Sequence, residues 1–186
     1  PSEGALRDLY DPAQLRPLLD AYTTHASAIS VLVDQAYFGG GYDLLRTVRS
    51  QVNQPVMAKG FFLHPHQLNL AAEAGADAVL LMATLLPPES LARMLEECKA
   101  RGLECLVEAH DQQELNEALA SPAPVVGVNS RNLKTLKIDL AYGRTLLGQI
   151  PEDRVRVFES GIQTAEHIQQ LNGEANAVLI GTSLVK

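Results

Sequence analysis

The chain has 186 residues, 46% hydrophobic and 20% charged, and its 15 basic and 22 acidic side chains give a net charge of −7. That is the composition of one globular domain with a sizeable core, and its acidic balance argues against general nucleic-acid binding. No run reaches the ~18 apolar residues of a membrane span, no signal peptide is visible, and Cys98 and Cys105 lack metal spacing, so reduced thiols and a cytoplasmic setting are expected.

Pro1–Gly4 reads as a loop, and Asp11-Pro12 as the cap and first position of a helix to about Thr24. Ala28–Val33 is a strand ending at Asp34, followed by the loop Tyr37-Phe38-Gly39-Gly40-Gly41 and a helix over Tyr42–Val52. The strand Pro55–Ala58 ends on Lys59-Gly60-Phe61, and a helix over Pro65–Ala74 stops at Gly75. Ala78–Met82 is a strand, Pro87–Arg101 a helix stopped by Gly102, and Leu103–Val107 a strand ending on Glu108. An Asp111-capped helix follows. Val125, Val126 and Val128 then form a strand suited to burial on both faces, which turns abruptly polar at Asn129-Ser130-Arg131-Asn132. A helix around Asp139–Leu147, a strand over Arg154–Phe158, a helix started by Thr164 and a strand over Ala177–Ile180 complete the chain.

These are seven strands, each preceded by a helix. Strict alternation with short loops predicts a parallel sheet, either open and doubly wound or closed as a βα barrel. A barrel places chemistry at the ends of most strands, whereas a doubly wound sheet concentrates it at one switch point. Here Asp34, Lys59, Glu108, Asn129, Glu159 and Gly181 all fall at strand ends, and no G-x-G-x-x-G or Walker loop follows an early strand. The expectation is a (βα)8 TIM barrel forming one domain over residues 1–186, with its first strand and last helix outside this chain.

Lys59 leaves an apolar wall, Val56-Met57-Ala58, and desolvation there lowers a lysine pKa toward use as a proton donor or Schiff-base nucleophile; a salt-bridged lysine is the alternative. Glu108 and Glu159 each end a buried run, where burial raises a carboxyl pKa toward acid–base values; structural ion pairs with Lys59 and Arg131 are the alternative. Ser160-Gly161 and Gly181-Thr182-Ser183 end the last two strands, where many barrels hold phosphate through backbone amides. No metal site is expected: His64-Pro65-His66 reads as a helix start, and His25, His110 and His167 as helix or loop surface residues.

The same strand ends carry a resemblance. Ala28-Ile29-Ser30-Val31-Leu32-Val33-Asp34 with Tyr37-Phe38-x-Gly40, Gly75–Leu81, Leu106-Val107-Glu108-Ala109-His110-Asp111, Gly127–Thr135 and Glu159-Ser160-Gly161-Ile162 resemble, in order, segments of the indole-3-glycerol-phosphate synthase family. Pro1-Ser2-Glu3-Gly4 is similar to the tail of that family's Ser-Pro-Ser-Lys-Gly loop. The resemblance implies a tryptophan-pathway carboxy-lyase without cofactor: ring closure of 1-(2-carboxyphenylamino)-1-deoxyribulose 5-phosphate to indole-3-glycerol phosphate, losing carbon dioxide and water. It implies Lys59 as general acid and Glu108 in the proton transfers of dehydration. Asn129, Arg131 and Glu159 would position the substrate's polar groups, and Phe61, Leu80, Leu133 and Leu179 would wall its aromatic ring. Ser160, Gly161, Gly181 and Thr182 would hold phosphate. The implied partner is a small phosphorylated substrate, with fusion to, or association with, another tryptophan-pathway enzyme.

The sequence departs from the family's pattern in places. The family's strand before the Ser-Pro-Ser loop, with its catalytic Glu and Lys, falls upstream of Pro1, and its final helix falls beyond Lys186. Its Arg-Lys-Asp-Phe appears as Ala58-Lys59-Gly60-Phe61, without the two flanking charges. A catalytically weakened phosphate-binding relative, or another phosphosugar lyase or isomerase, is the competing reading, and aspartate at position 60 is expected to restore activity if the enzyme is weakened.

Overall fold

Helix starts in this chain are written by capping side chains, and the computed structural model, which describes residues 12–133 and 135–184, shows most of them at work. The helices are α1 (Pro12–His25), α2 (Gln35–Phe38), α3 (Tyr42–Arg49), α4 (Pro65–Glu73), α5 (Pro88–Ala100), α6 (Gln112–Ala120), α7 (Leu140–Leu147) and α8 (Ala165–Gln170). The strands are β1 (Ile29–Leu32), β2 (Val56–Lys59), β3 (Ala78–Met82), β4 (Glu104–Ala109), β5 (Val125–Asn129), β6 (Val155–Glu159) and β7 (Ala177–Leu179). Two 3-10 turns, Ala83–Leu85 and Thr182–Leu184, follow β3 and β7. The carboxylates of Asp111 and Asp139 and the hydroxyl of Thr164 each accept the backbone N–H three residues on, satisfying an orphan donor of the helix they start. The expected Pro1–Gly4 loop and Asp11 cap, Lys134 of the Gly127–Thr135 motif and Lys186 lie outside the described residues.

The chain divides into two compact units, residues 1–80 with 96–104, and residues 81–95 with 105–186. In the first, β1 and β2 pair in parallel with Ile29 opposite Val56 and Leu32 opposite Lys59, and α3 packs on both strands. Leu45 and Val48 of α3, with Val56 and Ala58, form a core that water does not reach. Each of the leucine and valine side chains contributes about 1.5–3 kcal/mol on burial. The amino-terminal end of this ladder is tied by Asp77. Its Oδ2 accepts from Arg49 Nη1 at 2.9 Å and from the Val56 amide at 2.8 Å, while Arg49 also donates to the carbonyls of Gln54 and Val52.

In the second unit β4, β5, β6 and β7 pair in parallel, in that order. Helix α7 packs on β5 and β6, and α6 packs on β5 and on the Ala83–Leu85 turn. The last five residues of β4 are all buried. A strand covered on both faces reads as a continuous apolar run, so a carboxylate within it stands out.

Several boundaries differ from expectation, and β2 and β6 run on to include Lys59 and Glu159. Helix α2 (Gln35–Phe38) runs into the expected Tyr37–Gly41 loop, because the Asp34 carboxylate accepts the Tyr37 amide and Gly39, at φ 69°, closes the turn. Helix α3 stops at Arg49, short of Val52, and the Arg49 side chain reaches forward to bind the following loop. Strand β4 runs on to Ala109, so Glu108 lies inside the strand and not one step past it.

Candidate functional site

Parallel pairing fixes which strand-end side chains share a face, since registered residues point the same way and the pattern repeats every second residue. In the second unit Glu108 registers with Gly127, Asn129 with Glu159, and Glu159 with Leu179. Gly127 and Asn129 are two residues apart, so Glu108, Asn129, Glu159 and Leu179 stand on one face at the carboxyl ends of their strands. Both carboxylates are almost fully buried, Glu108 at 2% and Glu159 at 1% exposure. The Glu159 carboxylate takes the space a side chain at 127 would need: a Cβ there would lie 2.3 Å from its Oε1.

Past β5 the chain makes a short antiparallel bridge, Arg131 to Ile138. The Asn129 side-chain oxygen accepts the Arg131 amide at 3.0 Å, and the Arg131 guanidinium reaches the Leu136 carbonyl at 3.4 Å. Leu133 at the tip of this loop is 45% exposed. Asn129 thus shapes the turn after β5 while staying in register with Glu159.

After β6, Ser160 and Gly161 both have left-handed backbones, with φ of 65° and 75°. For serine that conformation is uncommon, and strain of this kind concentrates where backbone groups are presented to ligands. Ser160 is braced by Ser130, whose hydroxyl donates to its carbonyl at 3.1 Å. Gly161 has no room for a side chain, because a Cβ would meet Leu140 Cδ2 at 2.6 Å and Ile138 Cγ2 at 2.7 Å. Beyond β7, Gly181 and Thr182 are exposed, and the Ser183 hydroxyl donates to the Ile162 carbonyl at 2.7 Å, tying the Thr182–Leu184 turn to the segment after β6.

In the first unit the registered pair Met57–Ala78 puts Lys59 and Leu80, each two residues further, on one face of the β2–β3 ladder. Lys59 is half-buried and Leu80 buried. Phe61 joins Tyr37 edge-on at 5.2 Å between ring centroids and Phe38 at 5.7 Å. Gly40 is required here, since a Cβ would fall 1.9 Å from the Leu32 carbonyl oxygen.

The histidines divide. His25 is exposed, and His64 caps α4, its Nδ1 accepting the His66 amide at 3.1 Å. Among the described residues no group of three or more His, Cys, Asp or Glu side chains could hold a metal ion. His110 is not the surface residue expected: its side chain is 6% exposed, with Nε2 3.0 Å from Glu108 Oε1 and Nδ1 2.9 Å from Glu114 Oε2. Burial alone lowers its pKa, but the hydrogen bonds and charges of both carboxylates outweigh that and raise it to about 9. Glu114 is shifted down: burial opposes its charge, while His110 and the Thr84 hydroxyl favour it. The only hint of this pairing in the sequence is the spacing Glu108, His110, Glu114 across a strand-to-helix joint.

The family model for indole-3-glycerol phosphate synthase matches residues 1–186. The indole-3-glycerol phosphate synthase of Rhodopirellula baltica is 41% identical over 187 residues, covering 100% of this chain and 71% of its own length. That of a Nocardioides species is 45% identical over 188 residues, with the same shares. The tryptophan biosynthesis protein TrpCF of Corynebacterium glutamicum is 41% identical over 184 residues, and there the chain spans only 38% of the relative. Among solved structures, the N-acetylmannosamine-6-phosphate 2-epimerase of Clostridium perfringens superposes with a TM-score of 0.74 at 12% identity, over 95% of this chain and 82% of that one. That likeness concerns fold alone, and the fold class is the TIM-like parallel α/β one predicted from strand–helix alternation.

Proposed function

The chain belongs to the indole-3-glycerol phosphate synthase family, a family of tryptophan biosynthesis, and on that premise we propose how its residues divide the carboxy-lyase reaction. The substrate is 1-(2-carboxyphenylamino)-1-deoxyribulose 5-phosphate. A carbon–carbon bond forms between the aromatic ring and the substrate carbonyl carbon, carbon dioxide leaves the ring, and water leaves the new five-membered ring. The overall change is redox-neutral, so the reaction as written calls on acids, bases and positioning only.

Lys59 is the general acid that protonates the carbonyl oxygen, and Glu108 takes part in the proton transfers of dehydration. Asn129, Arg131 and Glu159 position the substrate's carboxylate, ring nitrogen and hydroxyls. Phe61, Leu80, Leu133 and Leu179 wall the aromatic ring. Ser160, Gly161, Gly181 and Thr182 hold the phosphate, where backbone amides can approach an anion closely. The observation that best supports this division is the single face shared by Glu108, Asn129, Glu159 and Leu179, with Gly127 vacating the space that the Glu159 carboxylate occupies.

A catalytically weakened relative is the second reading, favoured by one observation: Ala58 is fully buried and a Cβ at Gly60 would lie 2.8 Å from Val33 Cγ2, so the family's flanking charges have no ready place here. The experiment is turnover by the full-length protein of the carboxyphenylamino-deoxyribulose phosphate, followed by indole absorbance. Release of indole-3-glycerol phosphate supports the synthase; phosphate-ligand binding without turnover supports the relative. Absence of both removes the two readings together.

We place the protein in the cytoplasm, in keeping with two buried thiols, Cys98 and Cys105; among the described residues no helix is long and apolar enough to cross a membrane. The chain forms one βα-barrel domain in this reading. Fusion to, or association with, another tryptophan-pathway enzyme fits relatives named TrpCF, of which the chain spans 38–39%.

A further inference from the structure

His110 has no part in the assignments above, yet both its ring nitrogens face carboxylate oxygens: Glu108 Oε1 at 3.0 Å and Glu114 Oε2 at 2.9 Å. The same Glu114 oxygen accepts the His110 backbone N–H at 2.8 Å. Helix α6, which carries Glu114, packs on the turn after β3 that carries Thr84. Asp111, the next acidic neighbour, is committed to the α6 cap through the Glu114 amide at 2.9 Å. A neutral imidazole has one N–H and one lone pair. With it, one of the two contacts would set lone pairs against each other. The imidazolium donates to Glu114 and sets its positive charge 3.0 Å from Glu108 Oε1, a contact that is ionic because Nε2 lacks hydrogen-bond geometry there.

We propose that His110 is a positioning residue for the synthase reaction, an imidazolium clamped between Glu108 and Glu114 that fixes the Glu108 carboxylate and keeps it ionised for proton transfer. This rests on the role given to Glu108 above. The parts of the clamp come from different elements, Glu108 from β4 and Glu114 from α6, which packs on the turn after β3. A positive charge within hydrogen-bond distance favours the carboxylate form, opposing the effect of burial. Losing that charge while keeping a neutral donor should therefore raise the pH at which Glu108 becomes competent.

The test uses the full-length protein. Histidine-selective ¹⁵N NMR should show both His110 nitrogens protonated at pH 7.5, with a midpoint near 9, and Glu114→Gln should move that midpoint down. His110→Gln should shift the acid limb of the kcat–pH profile upward by about one unit, with the plateau rate within about threefold, as expected for one lost neighbouring charge. An imidazole that merely filled space would lower Tm on substitution and leave the acid limb where it was. A His110 midpoint near the ordinary 6.5, or an unmoved limb in His110→Gln, overturns the proposal. If His110→Gln does not fold, Glu114→Gln must move the limb in the same direction, and an unmoved limb there is equally fatal. Should wild-type protein not turn over the substrate, the reaction assignment fails on its own, and the NMR midpoint still decides whether the clamp is charged.

Discussion

The carboxylate of Glu159 lies over Gly127 so closely that a single added methyl would stand 2.3 Å from its Oε1 and 3.0 Å from Leu106 Cδ1. Glycine in a strand interior costs stability through backbone entropy and absent packing. Here that cost leaves space for a buried acid.

Gly127→Ala should displace the Glu159 side chain and lower turnover by at least tenfold, with about 1–3 kcal/mol of stability lost to overpacking. Turnover and denaturant melts of the full-length variant check both. Rates and melts that match wild type would mean the carboxylate moves without consequence.

Lys59→Ala should abolish most turnover while phosphate-ligand affinity persists, because a positioned general acid is worth roughly 10²–10⁴-fold. A surface ion pair would instead change stability by only about 0–1 kcal/mol. A rate within about threefold of wild type would make Lys59 structural and refute its assignment.

The His110 clamp gives stability a pH window. The raised imidazole contributes fully below its unfolded value of 6.5 and loses that contribution as pH rises through about 9. Glu114, shifted down from 4.5, contributes above that value and loses it as pH falls through its lower folded one. Chemical denaturation across pH should show wild type losing on the order of 2–3 kcal/mol between pH 6.5 and 10 relative to His110→Gln. Parallel curves for the two proteins would contradict the pairing.

Asp77 serves the framework at the amino-terminal end of β2, where barrel residues support stability. Asp77→Ala leaves the Val56 amide and the Arg49 guanidinium short of a partner, and should cost about 1–3 kcal/mol. Its kcat should stay within twofold, measured well below the melting temperature. A large rate loss without destabilisation would show that Asp77 reaches the chemistry.

The family's Arg-Lys-Asp-Phe pattern makes Gly60→Asp a restoring change if the enzyme is a weakened one. The position is crowded by Val33 Cγ2 at 2.8 Å, so the variant should first lose stability, by about 1–3 kcal/mol, as Val33 is displaced. Thermal melts with matched kcat values separate the two effects. A gain in turnover with unchanged Tm would show that the wall yields freely.

The sequence by itself determined the seven strands and every helix but α2, in order, because those depend on interactions within a few residues. Asp111, Asp139 and Thr164 announce helices through side chains that reach only three residues ahead, and the Val125–Val128 run announces a strand through burial alone. The polar residues at strand ends were legible for the same reason, each marking where a buried run stops. Tertiary structure decided what those residues touch. That Gly127 vacates space for Glu159 depends on the β5–β6 register, which no local pattern encodes. That His110 is buried between two carboxylates and not a surface residue depends on Glu114 arriving from α6 at 2.9 Å from Nδ1, with Glu108 3.0 Å from Nε2. Ser160 takes a left-handed backbone where residue preference favours glycine, and Ser130 braces it from the neighbouring strand end. Local preference is a matter of tenths of a kcal/mol per residue, so packing and register override it wherever a buried charge has to be satisfied.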